Sequence, residues 1–171
     1  RNAFRADQFK LDGNWRAHYF HTAEEILQQS QGTINVFCDF VGSGGSYTGI
    51  SKRLKEYNPE IRCYIVEPSS CAVLARKPIT AANHKIQGGG YSMKNLNFLK
   101  DMVIDGYIQV SEDEAINVAR RLAREECLFA GFSSGANVAA ALHLLQGECK
   151  GKTIVVLLCD SGLKYLSTDL W

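Results

Sequence analysis

One apolar run that ends in a glycine-rich turn constrains this chain more than any other feature. Residues 35–41 read Asn-Val-Phe-Cys-Asp-Phe-Val, and residues 42–49 read Gly-Ser-Gly-Gly-Ser-Tyr-Thr-Gly before a helical pattern begins. Glycines let the backbone approach an anion closely, and a following helix offers free N–H groups and the positive end of its dipole. The hydroxyls of Ser43, Ser46 and Thr48 add donors. The turn predicts a phosphate-binding loop, with a ligand-free tight turn as the alternative.

The spacing within this turn argues against two common phosphate ligands. A mononucleotide loop ends in Gly-Lys-Ser or Gly-Lys-Thr, and that ending is missing. A dinucleotide loop needs a third glycine three residues after Gly44, where Tyr47 stands. Glu67, after the next apolar run, is at a tolerable distance for a ribose ligand. A nucleotide-binding domain is therefore disfavoured but stays open.

Strand-like and helix-like segments alternate along the chain. Strands are predicted over 33–41, 61–67, 107–110, 128–130 and 153–158, and helices over 22–29, 47–57, 70–76, 111–126 and 131–145. Ser111 with Glu114 has the spacing of a helix capping box. Thr22 with Glu25 has the same spacing. The alternation predicts one α/β domain over residues 1–171, with an open, mostly parallel, twisted sheet and helices on both faces.

Polar segments rich in glycine and serine follow three of the predicted strands. They are residues 42–46, 131–135 and 160–162. Ligands of such sheets bind at the carboxyl ends of the strands, so we expect the three segments to line one crevice. The last strand, 153–158, is nearly all apolar, which predicts burial on both of its faces.

Composition argues against several classes of function. Apolar residues make up 46% of the 171 residues, enough for a packed core, and a net charge of +1 without a basic run argues against nucleic acid as a partner. No apolar stretch is long enough to span a membrane, and no secretory signal is visible. The chain begins at Arg1 instead of Met, which suggests a processed or excised piece.

The six cysteines indicate a reduced, cytoplasmic protein. No pair has CxxC spacing, which argues against a metal site of the zinc type. Because no secretion signal is present, free thiols are the expectation. Cys38, Cys63 and Cys159 lie in apolar runs and are expected to be buried there as small hydrophobic residues.

Five short motifs follow one another in a fixed order. They are Gly42-Ser43-Gly44-Gly45-Ser46, Lys85-Ile86-Gln87-Gly88-Gly89-Gly90, Ser111-Glu112-Asp113-Glu114-Ala115, Gly131-Phe132-Ser133-Ser134-Gly135-Ala136 and Asp160-Ser161-Gly162-Leu163-Lys164-Tyr165-Leu166-Ser167-Thr168. The set resembles the C-terminal half of cysteine synthase-type enzymes of the fold-type II pyridoxal 5′-phosphate (PLP) family, which includes cystathionine β-synthase. The resemblance covers the chain from Gln8 onward. It implies part of a tryptophan synthase β-like fold.

The resemblance implies a role in cofactor binding for each matching residue. The loop that holds the cofactor phosphate is matched by Gly42, Ser43, Gly44, Gly45 and Ser46. Ser133 matches the serine that meets the pyridine nitrogen, and a neutral hydroxyl there suits β-elimination and β-replacement. Gly88 and Gly90 match a loop near the cofactor's reactive carbon, with a flexible surface loop as the alternative. Ser161 completes the implied cofactor-binding set.

Two departures from the family pattern concern the site. Cys159 stands where such enzymes usually have proline, which predicts a differently shaped strand end. Residues 91–94, Tyr-Ser-Met-Lys, replace a more apolar stretch at the substrate entrance.

The lysine that forms the Schiff base with PLP lies in the first half of such enzymes, and nothing in this sequence matches its context. The lysine whose sequence context comes nearest is Lys52, within Ser51-Lys52-Arg53. Its spacing predicts a solvated helix face, whereas a Schiff-base lysine must be desolvated. The chain is therefore expected to hold none of the groups that carry out the reaction and to be inactive alone, as a fragment or as one part of a two-piece assembly.

The resemblance implies the activity of the complete protein. That activity is β-replacement or β-elimination on O-activated serine or cysteine, with cysteine synthesis from sulfide as the first choice and cystathionine synthesis or cysteine desulfhydration as alternatives. The expected partners are the missing N-terminal half or a second chain, within a homodimer. A non-catalytic regulatory or scaffold module that keeps a PLP- or phosphate-binding loop is the alternative from another class.

Overall fold

Four parallel strands form the centre of the structure, a computed structural model that describes residues 3–171. They are β1 (Val36–Phe40), β2 (Arg62–Pro68), β3 (Gly106–Val110) and β4 (Ile154–Val156), in the spatial order β3-β2-β1-β4. The α/β class and the parallel sheet predicted from the alternation are thus confirmed. Arg1, on which the suggestion of an excised piece rested, lies outside the described residues.

Helices cover both faces of this sheet, as predicted. They are α1 (Gly13–Ala17), α2 (Ala23–Gln29), α3 (Gly45–Tyr57), α4 (Glu112–Glu126) and α5 (Phe132–Gln146), with a π-helical turn at His18–Thr22 and 3₁₀ turns at Asn97–Leu99 and Gly162–Tyr165. None of the helices in residues 3–171 is both long enough and apolar enough to cross a membrane.

The side chains of β1 alternate between two apolar cores. Val36, Cys38 and Phe40 pack in the core that α4 and α5 cover. Phe37 and Val41 pack in the core on the opposite face, with residues of α2 and α3. This alternation is the two-residue period of a strand, and burial on both faces explains why the run is so apolar.

One of the two predicted capping boxes is present. The Ser111 hydroxyl accepts from the Glu114 N–H at 3.2 Å, and the Glu114 carboxylate accepts from the Ser111 N–H at 3.0 Å. The box predicted at Thr22 is wrong, because Thr22 has helical backbone angles and continues the π-helical turn into α2. An N-cap residue is non-helical, and the Thr22 hydroxyl instead lies 3.1 Å from Nδ1 of His18.

Two further predicted elements are wrong. Residues 70–76 form turns instead of a helix, because the Glu67 carboxylate accepts from the N–H groups of Leu74 and Ala75, both at 2.8 Å, and Arg76 has a left-handed φ of 58°. Residues 128–130 form no strand beyond a single bridge between Ala130 and Ser161.

The last strand is shorter and more exposed than predicted. β4 spans three residues and all three are half-buried, whereas all five residues of β1 are buried. β4 pairs with β1 on one side and forms the edge of the described sheet. Both faces of β4 pack on a core, with Ile154 and Val156 on one and Val155 on the other, and the partial exposure accompanies the unpaired edge.

Gly135 lets α4 and α5 approach each other closely. A Cβ atom at this position would lie 2.1 Å from the carbonyl oxygen of Ala115 and 3.0 Å from the Cβ of Ala119. The obstacle is backbone, which cannot swing aside like a flexible side chain. This glycine of the Gly131–Ala136 motif therefore serves helix packing.

Substitution Gly135→Ala is expected to lower the free energy of unfolding by about 3 kcal/mol or more, because α4 and α5 must separate to admit the methyl group. Urea denaturation followed by circular dichroism measures the change. Gly13→Ala is the matched control, since a Cβ at Gly13 meets nothing within 4 Å and α1 gains a better helix former. Equal stability of the two variants would contradict the packing argument.

Candidate functional site

The carboxyl ends of β1 and β4 open onto a cavity of about 240 Å³. From β1 the chain proceeds to β2 and β3 on one side, while β4 lies on the other side. Such a reversal of strand order leaves a crevice between the neighbouring strand ends, where ligands of open α/β sheets bind. The cavity lies at this point of the fold.

The three polar segments predicted to share a crevice meet at this cavity. Its walls comprise Gln8, Asn14, His18, Asp39, Phe40, Gly42, Ser43, Ser46, Gln87, Gly88, Ser133, Cys159, Asp160 and Tyr165. Five of the nine residues assigned to cofactor binding are among them, namely Gly42, Ser43, Ser46, Gly88 and Ser133. The turn after β1 and the hydroxyl at the start of α5 therefore face one space.

Three predicted glycines shape the cavity without lining it. Gly44 precedes α3 with a left-handed φ of 87°, which glycine adopts without strain. A Cβ at Gly45 would collide with the Asn14 side chain, and one at Gly90 with Pro68. They let the turn, the N-terminal segment and the loop 85–90 pack closely.

Ser161 does not reach the cavity wall. Its side chain is exposed, and its hydroxyl accepts from the Leu163 N–H at 3.3 Å, which caps the turn Gly162–Tyr165. The neighbouring Asp160 lines the cavity in its place. Ser161 therefore caps the start of the 3₁₀ turn that follows β4.

The loop 85–90 is fastened to the end of β1. The Gly90 N–H donates to the carbonyl oxygen of Val41 at 3.1 Å. A Cβ at Gly42 would lie 2.5 Å from the carbonyl oxygen of Gly88, so the two glycine-rich segments touch through their backbones. These contacts favour a defined wall at Gly88 over the flexible surface loop that was the alternative.

The turn before α3 presents hydrogen-bond donors. The first N–H groups of a helix have no partner inside it, and α3 begins at Gly45. The Ser43 hydroxyl accepts from Nδ2 of Asn14 at 2.9 Å, which leaves its own O–H for a ligand. The Asn14 amide is held in turn by the Gln8 carbonyl oxygen at 2.7 Å. An anion at this turn would therefore meet several donors.

Asp39 is a site residue that the sequence reasoning missed. It is only 1% exposed, and Oδ2 accepts from the Ser46 hydroxyl at 2.5 Å. Its Oδ1 is buried and has no hydrogen-bond partner among the described residues. Burial raises the pKa of this carboxyl to about 7, against the opposing effect of the Ser46 hydrogen bond. A lone charged residue within the apolar run 36–41 was the signal available in the sequence.

Two consecutive serines at the start of α5 differ in role. Ser133 lines the cavity. Ser134 is fully buried, and its hydroxyl accepts from the Cys159 N–H at 3.0 Å. Asn137, one turn later, donates to the carbonyl oxygen of Leu157 at 3.0 Å. Ser134 and Asn137 thus fix the chain after β4, and Ser133 is left facing the cavity.

Cys159 was predicted to be buried in an apolar run. It lies beyond the end of β4 and is exposed. Cys38 and Cys63 are buried as expected. The pKa of the Cys159 thiol is raised to about 11, first by the removal of water around the sulfur and then by the Asp39 carboxylate. A neutral thiol therefore stands at this cavity wall.

The N-terminal segment supplies a wall that no local pattern indicated. Gln8, Asn14 and His18 reach the cavity from a part of the sequence more than 100 residues before Ser133. Burial lowers the pKa of His18, so its imidazole is neutral near neutral pH. The contact depends on tertiary packing, which sequence periodicity does not encode.

Lys52 is exposed, which confirms the solvated helix face predicted for it. Its Nζ lies 5.0 Å from the centroid of the Trp15 ring. Within residues 3–171 no lysine lines the cavity. The described part of the chain therefore offers the cavity no lysine amine.

Glu67, which had left nucleotide binding as an alternative function, has a structural role. Glu67 is 3% exposed, and both of its carboxylate oxygens accept backbone N–H groups of the following turn. Tyr47, at the position of a third glycine, is fully buried and donates to the Cys63 carbonyl oxygen at 3.0 Å. Neither residue is available to a ribose or a diphosphate.

A larger cavity, of about 430 Å³, lies elsewhere, between the turn 73–76 and residues 94–100. It contains none of the predicted site residues, and its cations Arg76, Lys94 and Lys100 are exposed. Volume alone does not identify a site, and the smaller cavity has the buried polar groups.

Known proteins resemble this chain along nearly its whole length. A family model described as pyridoxal-phosphate dependent enzyme matches residues 1–160. Cysteine synthase 3 of Caenorhabditis elegans is 40% identical over 171 residues, which are 99% of this chain and 50% of that protein. The chain spans about half the length of the curated relatives it matches.

Solved structures show the same fold. O-acetylserine sulfhydrylase isoform 3 from Entamoeba histolytica superposes with a TM-score of 0.88 at 35% identity, over 98% of this chain and 49% of that chain. The O-acetylserine dependent cystathionine β-synthase from Helicobacter pylori gives 0.88 at 32% identity, over 96% of this chain and 52% of that chain.

Asp39 is expected to make the free energy of unfolding depend on pH. Its pKa rises from 3.8 to about 7 on folding, so wild-type stability falls as pH rises between these values. The loss amounts to about 4 kcal/mol at most, since one pKa step is worth about 1.4 kcal/mol. Asp39→Asn should therefore be more stable than the wild type above pH 7 and lose this advantage toward pH 4.

Urea denaturation across this pH range measures the difference. Asp101→Asn is the control, because it changes an exposed carboxylate and should leave the wild-type profile as it is. Parallel profiles for Asp39→Asn and the wild type would show that Asp39 does not carry this buried charge.

Proposed function

This chain belongs to the family of pyridoxal-phosphate dependent enzymes, and from that membership we propose that it is the cofactor-phosphate-binding half of a cysteine synthase-like enzyme. The complete enzyme performs β-replacement or β-elimination on an O-activated serine or on cysteine. The observation that carries the proposal is that one cavity joins the turn Gly42–Ser46 to Ser133. PLP, when bound, supplies an electron sink for charge that develops at the α-carbon of an amino acid.

The polar groups of the cavity fit this cofactor. The free N–H groups at the start of α3 and the Ser43 hydroxyl suit a phosphate ester. Ser133 offers a neutral hydroxyl for a ring nitrogen, and Gly88 presents backbone without a side chain. The carboxyls of Asp39 and Asp160 are the wall groups that oppose an anion, and the buried Asp39 has no paired cation among the described residues of the wall.

In this proposal the residues of the chain bind and orient the cofactor. Ser43 and the first turn of α3 donate to the phosphate, and Ser133 meets the ring nitrogen. Asn14 and His18 close the side of the cavity and keep water from it. Because no lysine lines the cavity in the described residues, the amine that anchors the cofactor and moves the α-proton belongs to the other half of the protein.

Exposed apolar surface supports a partner for the chain. β4 is half-buried with one side unpaired, and Leu158, Leu163 and Leu166 are 41%, 67% and 62% exposed. An apolar sheet edge is a site for pairing with further chain. We infer that the missing half covers this surface, within a homodimer in the cytoplasm whose substrates are an O-activated amino acid and sulfide.

Two alternative functions are each favoured by one observation. Similarity to the H. pylori enzyme favours cystathionine synthesis by the complete protein. The lack of a lysine on the cavity wall of the described residues favours a non-catalytic module that binds PLP or phosphate. Activity with different nucleophiles, or its absence in every assembly, separates the three.

Substitutions at the two serines should separate binding from stability. Ser133→Ala removes one hydrogen bond to the cofactor and is expected to weaken PLP binding about 3- to 10-fold, with little change in the free energy of unfolding. Ser134→Ala leaves the buried Cys159 N–H unpaired and should cost about 1–3 kcal/mol of stability. Fluorescence titration with PLP and urea denaturation measure the two effects. Equal loss of binding in both variants would contradict the assignment of Ser133.

The 171-residue chain alone is expected to form no cysteine from O-acetylserine and sulfide, because it lacks an anchoring lysine at the cavity. Co-expression with the half that precedes it in the relatives should restore turnover. Lys52→Ala is the control and should leave the restored rate unchanged. Turnover by the chain alone would refute the proposal.

A further inference from the structure

When Asp39 is ionised, its contact with Ser46 opposes phosphate binding. A hydroxyl has a single O–H, and with Asp39 ionised that O–H donates to Oδ2 at 2.5 Å. Ser46 then offers the cavity only an acceptor oxygen. A phosphate dianion accepts hydrogen bonds and would also lie near a buried carboxylate. Both effects oppose binding.

A proton on Asp39 removes both obstacles. The protonated carboxyl donates to the Ser46 oxygen, so the direction of the hydrogen bond reverses and the Ser46 O–H is released to donate to a phosphate. The buried negative charge is also gone. The unpartnered, buried Oδ1 is consistent with a carboxyl that carries a proton in part of the population, because an ionised oxygen without a donor is costly to bury.

Among residues 3–171, no group packed around Asp39 provides a neutralising charge. The Asn137 amide of α5 and the Phe40 backbone favour the ionised carboxyl and so lower its pKa, but both are uncharged and burial outweighs them. The ionisable groups that interact with it or share its cavity are Cys38 on β1, Tyr47 on α3, Cys159 and Asp160 after β4, Tyr165 on the last turn, and His18 on the N-terminal wall. The thiols and phenols are neutral because burial raises the pKa of each, and the pKa of His18 is lowered.

We propose that Asp39 determines which ionic state of the turn Gly42–Ser46 binds a phosphate ester: the ester binds together with one proton on Asp39, which turns Ser46 from acceptor into donor. This rests on the proposed function, since it takes the turn to be the phosphate site. Phosphate and proton then stabilise each other's binding, as linkage requires.

The linkage fixes the size of the effect. With a carboxyl that titrates at about 7 in the free protein, the fraction ready to bind falls about 30-fold between about pH 6 and about pH 8.5. Apparent affinity for the ester falls by the same factor. About one proton is taken up for each ester bound near pH 8.5.

The test measures binding of pyridoxine 5′-phosphate, an alcohol that forms no Schiff base with surface lysines. Titration calorimetry in buffers of different ionisation enthalpy gives both the affinity and the protons taken up. The proteins are the full chain, Asp39→Asn, and Asp101→Asn as an exposed carboxylate outside the cavity. Asp39→Asn resembles the protonated form, because its amide can donate to Ser46. Circular dichroism verifies that each variant is folded.

We expect the wild type and Asp101→Asn to bind about 30-fold more weakly at about pH 8.5 than at about pH 6, after division by the change seen for Asp39→Asn. That division removes the ionisation of the ligand itself, which all the proteins share. Asp39→Asn should match the wild type at the lower pH. Equal pH dependence in the wild type and Asp39→Asn, or its loss in Asp101→Asn as well, overturns the role of Asp39 while the phosphate site stands. Failure of every folded protein to bind at either pH overturns the phosphate site and this inference together.

Discussion

The reversal of strand order beside β1 determines where a ligand can bind to this protein. A parallel sheet has no open space between neighbouring strand ends unless the chain leaves them toward opposite sides, and here that happens between β1 and β4. The cavity wall then needs only short polar segments after each strand. Every other feature of the site, including the glycines of the turn Gly42–Ser46 and the serine at the start of α5, refines a space that the topology has already opened.

Most of the fold was predictable because the strongest sequence signals are local. The run before Gly42 and the capping box of Ser111 each agree with their surroundings, and both formed as expected. The failures at 70–76 and 128–130 come from contacts that no local pattern carries. Glu67 holds the backbone after β2 in turns, and the second segment lies against Ser161, which is more than 30 residues away. Tertiary contacts decided both segments.

Some residues of the site were also predictable from the sequence, and others were not. The turn Gly42–Ser46 and Ser133 were identified from motifs and face one cavity, whereas the walls at Asn14 and His18 depend on how the N-terminal segment packs. Asp39 stands apart, because its position in an apolar strand was visible in the sequence. A charged residue in such a run is costly unless it is paired or neutral, so the exception itself indicates a functional or structural demand. Ser161 shows the converse case, in which a motif residue caps the start of a turn and does not line the cavity.

β4 and Asp39 each have an unmet requirement in the described chain. β4 lacks a pairing partner on one side, and Asp39 lacks a neutralising charge. β4 carries an apolar sequence of the kind that is buried within a sheet, yet in the described chain one of its sides is free. The carboxyl of Asp39 on β1 lies beside a donor-rich turn, yet no cation among the described residues of the wall offsets it. Both features cost free energy in the isolated chain and both are relieved by binding, the first by further polypeptide and the second by a proton that accompanies an anion. The proposed function accounts for both features, because a partner half would cover the edge of β4 and a phosphate ester would bind together with the proton on Asp39.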